Sequence, residues 1–260
     1  MQPKKSLGQH WLHDEASLNA MLAAGEVTGE DIVLEVGPGL GTLTKKLCVA
    51  AKKVIAVELD DILAADLKNK VPAETLEVVH QSILDFDTST LTKGYKIIAN
   101  IPYYLTSNLI RIMLESPNPP SVMVLLIQKE VAERVVAGPG EMGILSIATQ
   151  FYAEAALKEE VPAELFTPPP KVDSQILQLR LRETPLFENV NPDQFFKIVK
   201  AGFSEKRKKL RSSLSGALQI SKTDVDAWLE RAEISANARA QELTLDQWNK
   251  LYQCHTNHQN

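Results

Sequence analysis

Three short segments carry residue types that could do chemistry together. In Val33-Leu34-Glu35-Val36-Gly37-Pro38-Gly39-Leu40-Gly41 a glutamate precedes three glycines spaced G-x-G-x-G. Glycines where a strand turns into a helix let the backbone approach a ligand closely, and the helix start offers free N–H groups. The spacing differs from the dinucleotide pattern G-x-G-x-x-G, and a carboxylate at Glu35 would draw a cationic group rather than a pyrophosphate. Taken alone, such a segment is equally well read as a tight turn. Glu58 closes the next apolar run, Val54 to Glu58, about 20 positions after the glycines, where an acidic side chain can accept hydrogen bonds from ribose hydroxyls. Asp60 suits the competing role of helix cap better than Glu58 does, so the two features together favour an adenosine-containing cofactor. The third segment is Asn100-Ile101-Pro102-Tyr103. The Asn100 side-chain oxygen and a backbone carbonyl near Ile101 or Pro102 can accept both N–H bonds of an amine conjugated to an aromatic ring. The N6 amine of adenine is such a group: its lone pair is delocalised, and it must be held in line and drawn toward tetrahedral geometry to react. Pro102 stiffens the loop, and Tyr103 can stack on a base that has left its neighbours.

The elements that must position these residues alternate. Ile32 to Val36, Val54 to Glu58, Leu76 to Val79, Lys96 to Ala99 and Val122 to Ile127 read as strands. Leu40 to Ala51, Asp60 to Lys70, Leu105 to Leu114 and Lys129 to Ala137 read as helices between and after them. Alternation of this kind predicts a parallel sheet covered on both faces. Ala155 to Val161 and Ser174 to Leu181 then read as two strands joined through Thr167-Pro168-Pro169-Pro170. The second partly alternates apolar residues with Gln178 and Arg180, as an antiparallel strand does. Pro185 marks a boundary, after which the chain is helical, with a helix start at Pro192-Asp193. The domains expected are 1–183, binding cofactor and substrate base, and 184–260, small and helical.

The 260 residues suit such a division. With 44% hydrophobic and 23% charged residues the composition is that of an ordinary globular protein. No apolar run approaches the ~20 residues of a membrane span, and Lys4 and Lys5 near the start precede no apolar segment, so the opening does not read as a secretory signal. Cys48 and Cys254 are far apart and read as reduced thiols. The five histidines show no zinc spacing, and no metal is expected. The formal net charge of −5 argues against nucleic acid, but Lys206-Arg207-Lys208-Lys209-Leu210-Arg211 places five cations in six positions. A concentrated strip can track phosphates on an otherwise acidic protein. Its bland reading is a solvated face; Phe203, Leu210 and Leu214, able to anchor one side of it, favour RNA contact.

The order of these motifs resembles the bacterial small-subunit ribosomal RNA adenine N6,N6-dimethyltransferase family. Lys4-Lys5-Ser6-Leu7-Gly8-Gln9-His10-Trp11-Leu12 is similar to its opening signature, with Trp11 where phenylalanine is usual. Gln128 to Arg134, Gly143 to Ser146, Phe166 to Ser174 and Gly202 to Arg211 also match, so the resemblance runs from Lys4 to about Leu214. It implies a Rossmann-like class I methyltransferase fold: a mostly parallel seven-stranded sheet with an antiparallel edge hairpin, plus a small all-α C-terminal domain. It implies S-adenosylmethionine as cofactor, with contacts at His10, Leu12, Gly37, Glu58 and Asn100, to which the glycine-rich segment adds Glu35, Gly39 and Gly41, and Ser82 takes the acceptor position after the third strand. It implies catalysis by Asn100, Ile101, Pro102 and Tyr103, with Phe166 joining Tyr103 around the target base. Lys206, Arg207, Lys208, Lys209 and Arg211 would bind RNA. The enzyme would be a cytoplasmic monomer that dimethylates two adjacent adenosines near the 3′ end of small-subunit RNA in immature subunits. The sequence departs from the family at His80-Gln81-Ser82-Ile83-Leu84-Asp85, where uncharged Ser82 stands in place of an aspartate that binds the cofactor's adenine amine.

Two other readings remain at this point. Macrolide-resistance methyltransferases share the catalytic loop but modify a large-subunit adenosine; the Leu7-to-His10 opening and the Phe203-to-Arg211 motif fit the small-subunit family better. A non-catalytic RNA-binding assembly factor is the other, and the intact Asn100-to-Tyr103 segment argues against it.

Overall fold

The computed structural model describes residues 8–205 and 207–259. Lys4 to Leu7 of the opening motif and Lys206 of the basic strip lie outside the described residues. The elements in chain order are β1 (Trp11–Leu12), α1 (Glu15–Ala24), β2 (Ile32–Val36), α2 (Thr42–Ala50), β3 (Lys53–Glu58), α3 (Asp61–Lys70), β4 (Leu76–His80), β5 (Lys96–Asn100), α4 (Thr106–Leu114), β6 (Val122–Gln128), α5 (Lys129–Val136), α6 (Ile144–Tyr152), β7 (Ala153–Val161), β8 (Phe166–Thr167), β9 (Ser174–Leu181), α7 (Pro192–Gly202), α8 (Leu210–Leu218), α9 (Lys222–Arg231) and α10 (Leu245–Gln259). No helix among the described residues is long and apolar enough to cross a membrane.

Seven strands form one sheet in the order β4-β3-β2-β5-β6-β9-β7. β2 to β6 are mutually parallel, and β9 runs antiparallel to both β6 and β7. The unbroken apolar stretch of β6, buried from Val122 to Ile127, is what a strand covered on both faces requires. The chain moves outward from β2 through β3 to β4, then returns to the other side of β2 with β5 and β6. The strand order therefore reverses between β2 and β5, and the carboxyl ends of those strands flank the crevice where open parallel sheets bind ligands. Glu35 and the glycines, Glu58, Ser82 and Asn100 all lie at or just beyond the carboxyl ends of β2, β3, β4 and β5. A second, two-stranded sheet pairs β1 with β8, Trp11 opposite Thr167 and Leu12 opposite Phe166.

The chain divides into two compact units, one of residues 1–133 and 153–182, the other of 134–152 and 183–260. Segment 134–152, which sequence reading assigned to the first domain, groups with the helical unit. The reason is its apolar face: Met142, Ile147 and Phe151 join the core made by Phe195, Ile198, Val199, Leu210, Leu214, Trp228 and Trp248. Phe151 stacks on Phe195 with ring centroids 4.9 Å apart.

Gly41 illustrates packing in the first unit. It has φ +80°, and a Cβ there would lie 2.9 Å from both Leu67 and Val71. Gly41→Ala is expected to cost about 1–3 kcal/mol from left-handed strain and overpacking, lowering the melting temperature while leaving cofactor affinity within about twofold. A large affinity loss at unchanged stability would return Gly41 to the ligand site.

Candidate functional site

The cavity at the carboxyl end of the sheet is lined by Gly8 to Leu12, Glu35 to Leu40, Thr42, Val57 to Leu59, Gln81 to Leu84 and Asn100 to Leu105, among others. Of the sequence-predicted residues it gathers His10, Leu12, Glu35, Gly37, Gly39, Glu58, Ser82, Asn100, Ile101, Pro102 and Tyr103. It does not gather Gly41 or Phe166. Phe166 is 2% exposed; β8 pairs it with Leu12, and its ring joins the apolar core with Leu18 and Val161. Its expected role beside Tyr103 at a target base is carried by no cavity contact among the described residues.

Two carboxyls sit at the floor. Glu35 is 1% exposed, and its Oε2 has no hydrogen-bond partner. Burial, opposed by the Thr44 hydroxyl and reinforced by the Glu58 carboxylate, pushes the Glu35 carboxyl up to about 8. Glu58 accepts from the Gly39 N–H at 3.1 Å through Oε2 and from the Asp60 N–H at 2.9 Å through Oε1. Burial nevertheless raises its carboxyl above the ordinary value. Asp60 takes the cap of α3, accepting from the N–H groups of Ile62 and Leu63. Glu58 is therefore spared for the cavity and for holding the glycine loop.

The opening segment organises the Asn100-to-Tyr103 loop. The Asn100 side-chain N–H donates to the His10 carbonyl at 3.2 Å. The donor half of this amide is committed, and its oxygen accepts no hydrogen bond among the described residues. His10 Nδ1 donates to the Pro168 carbonyl at 2.7 Å, and its ring stacks on Tyr103 with centroids 5.8 Å apart. The Tyr103 hydroxyl shares a 2.7 Å hydrogen bond with Ser174, and burial raises its pKa. Tyr104, which sequence reading passed over, also lines the cavity and is 64% exposed.

Ser82 lines the cavity and Asp85 does not. The Ser82 hydroxyl accepts from the Leu84 N–H at 3.2 Å, capping a short 3₁₀ turn. Leu59, Ile83 and Leu84 supply apolar walls nearby that sequence reading missed. A signal was available for two of them: Leu59 follows Glu58 at the end of β3, and Ile83 follows Ser82 just past β4. No group of three or more His, Cys, Asp or Glu among the described residues is arranged to hold a metal ion.

The basic strip belongs to the helical unit. Leu210 and Leu214 are fully buried and Phe203 stacks on Trp248, so the strip is anchored. Its cations are partly committed: Lys208 pairs with Glu205 at 2.6 Å, Lys209 donates to Asn237 at 2.6 Å, and Arg211 forks onto Asp226. Arg207 is exposed and has no acidic partner among the described residues.

Comparison with known proteins bears on this arrangement. Residues 1–257 match the family described as ribosomal RNA adenine dimethylase. A relative from Dehalococcoides mccartyi, named ribosomal RNA small subunit methyltransferase A, is 40% identical over 255 residues, covering 96% of this chain and 88% of its own. A dimethyladenosine transferase from Plasmodium falciparum shares the structure with TM-score 0.78 at 27% identity, over 93% of this chain and 96% of that one. The 23S rRNA methyltransferase ErmE gives TM-score 0.77 at 28% identity, over 94% of this chain and 98% of that one.

Proposed function

The chain belongs to the ribosomal RNA adenine dimethylase family, and from that premise we propose that it transfers methyl groups from S-adenosylmethionine to the N6 amine of two adjacent adenosines near the 3′ end of small-subunit ribosomal RNA. The observation that carries this reading is the Asn100 amide, whose donor is held by His10 and whose free oxygen stands at a cavity shared with Glu35 and Glu58. Choice of subunit is supported by 40% identity to a small-subunit enzyme against 28% to a 23S enzyme of equally similar shape. We place the reaction on immature subunits in the cytoplasm, with the enzyme acting as a monomer.

The cavity suits the cofactor on grounds internal to the molecule. An unpartnered buried carboxyl oxygen on Glu35 fits a ligand with a cationic amino-acid end. Gly37 and Gly39, at φ +65° and +58°, give the loop no side chains of its own at those two positions. Glu58 would accept from ribose hydroxyls, and the Ser82 hydroxyl, which lines the cavity, would accept from an adenine amine. The bound cofactor supplies an electrophilic methyl group on sulfonium. Asn100 Oδ1 accepts one N–H of the target amine, and a carbonyl held by Pro102 accepts the other. Both acceptors favour the nitrogen as it becomes tetrahedral and cationic. Tyr103, braced by His10 and Ser174, offers a fixed ring face to the base.

Ser82→Asp is expected to tighten cofactor binding by somewhat less than tenfold, the gain of a charged over a neutral acceptor. Aspartate keeps the cap on the turn. Calorimetric titration checks it; no gain, with a large loss for Asp85→Ala, would make Asp85 the adenine acceptor. We assign RNA binding to the helical unit through its basic strip. Replacing Arg207 and Lys208 by alanine should weaken RNA binding across sequences and flatten the slope of log K against log salt by about one to two units. Because Lys208 is half-neutralised by Glu205, most of the change belongs to Arg207. An unaltered slope would make the strip a solvated face. The proposed reaction itself is tested by offering labelled cofactor with small or large subunits: label is expected in small subunits alone, and label in the large subunit contradicts the reading.

A further inference from the structure

Trp11 is the tryptophan that lines the cavity among the described residues. Its Nε1 is buried and has no hydrogen-bond partner. Its pyrrole edge lies over the glycine loop: a Cβ on Gly39 would stand 3.3 Å from both Cδ1 and Nε1 of Trp11. The ring is pinned in place, since β1 pairs Trp11 with Thr167, and the Leu12 carbonyl accepts from the Thr42 hydroxyl at 2.9 Å. An indole N–H is a donor only. A buried donor without an acceptor is costly, and a ligand oxygen in the neighbouring cavity would supply one. Phenylalanine, the residue usual here in the resembling family, has no such donor.

We infer that Trp11 is an additional cofactor-binding residue of this chain, its Nε1–H donating to an oxygen of S-adenosylmethionine beside the Gly37–Gly39 loop. The inference rests on the cofactor reading given above. Two cofactor oxygens are eligible. One is the amino-acid carboxylate and the other is a ribose oxygen.

The test uses the full-length protein and equilibrium binding of S-adenosylhomocysteine, followed by calorimetry and by indole fluorescence. Trp228 and Trp248 belong to the helical unit, so a ligand-dependent change in emission is expected from Trp11 and should vanish in Trp11→Phe. Trp11→Phe should lose about tenfold in affinity. Because the smaller ring also loses packing, a second variant replaces Trp11 by β-(3-benzothienyl)alanine, which keeps the bicyclic shape and lacks the N–H; it should show the same loss. Titration with 5′-methylthioadenosine, which keeps the ribose and lacks the carboxylate, separates the two acceptors. A loss confined to S-adenosylhomocysteine assigns the carboxylate, and a loss with both ligands assigns the ribose. Unchanged affinity of the benzothienyl variant for both ligands would overturn the inference while leaving the cofactor reading intact. Failure of the unaltered protein to bind S-adenosylhomocysteine would overturn both.

Discussion

Asn100→Ala is expected to slow single-turnover methyl transfer by roughly 10²–10³-fold, the scale of losing one preorganised polar contact to a developing charge. RNA affinity should change little, because the lost acceptor matters most as the amine becomes tetrahedral. The structure sharpens this expectation. The same amide donates to the His10 carbonyl, so alanine also frees the segment that stacks on Tyr103. Asn100→Asp separates the two roles. It keeps an acceptor oxygen and removes the donor, so it should loosen the His10 contact yet retain more activity than alanine. Near-normal turnover of Asn100→Ala would remove Asn100 from the chemistry.

Glu35→Gln should change stability and cofactor binding in opposite directions. The folded-state carboxyl sits at about 8, raised from the 4.5 of an unperturbed glutamate chiefly by burial. Below pH 4.5 both folded and unfolded chains carry the proton, and the group costs nothing. Between 4.5 and 8 the unfolded chain has lost it while the folded one keeps it, so stability falls as pH rises, by up to about 1.4 kcal/mol per unit. Above 8 both are ionised and the loss is complete. Glutamine removes this dependence, and the ligand-free variant should melt higher than the unaltered protein, most clearly at pH 8–9. Cofactor binding has the reverse sign. A cationic ligand end favours the ionised carboxylate, so binding releases a proton and tightens as pH rises toward 8. In Glu35→Gln the affinity should be lower and that rise should disappear. Melting curves across pH, with calorimetry in buffers of different ionisation enthalpy, measure both. Identical pH profiles for the two proteins would show that Glu35 does not titrate in this range.

Much of the fold could be read because the central strands are continuous apolar runs bounded by polar turns. Ile32–Val36 and Ser174–Leu181 have the bounds expected, and Val54, Leu76, Lys96 and Val122 fall within a residue of where their strands begin. α1 was not anticipated: its buried residues Ser17, Leu18, Met21 and Ala24 lie in a stretch apolar on nearly every side, so no face stands out. α6 was missed for another reason, since Ile144 to Tyr152 is rich in β-branched and aromatic residues that suit strands equally well. Its grouping with the helical unit depends on what it packs against, which local sequence does not encode. In the site, residue type and spacing were enough to gather Glu35, Glu58 and Asn100. They could not show that the β1–β8 pairing buries Phe166 or that Gly41 is needed for packing against α3, because both follow from contacts distant in sequence. Nor could they show that Arg211, spaced like an RNA contact, forks onto Asp226 from the next helix.

The most direct test of the central claim is to map the product. Purified protein, S-adenosylmethionine and small subunits from cells lacking this modification are incubated, and the RNA is digested and read by mass spectrometry. The account predicts two methyl groups on N6 of each of two adjacent adenosines near the 3′ end, and none elsewhere. A methylated adenosine in large-subunit RNA offered in the same reaction, or unmodified small-subunit RNA from a protein shown to bind its cofactor, would contradict it.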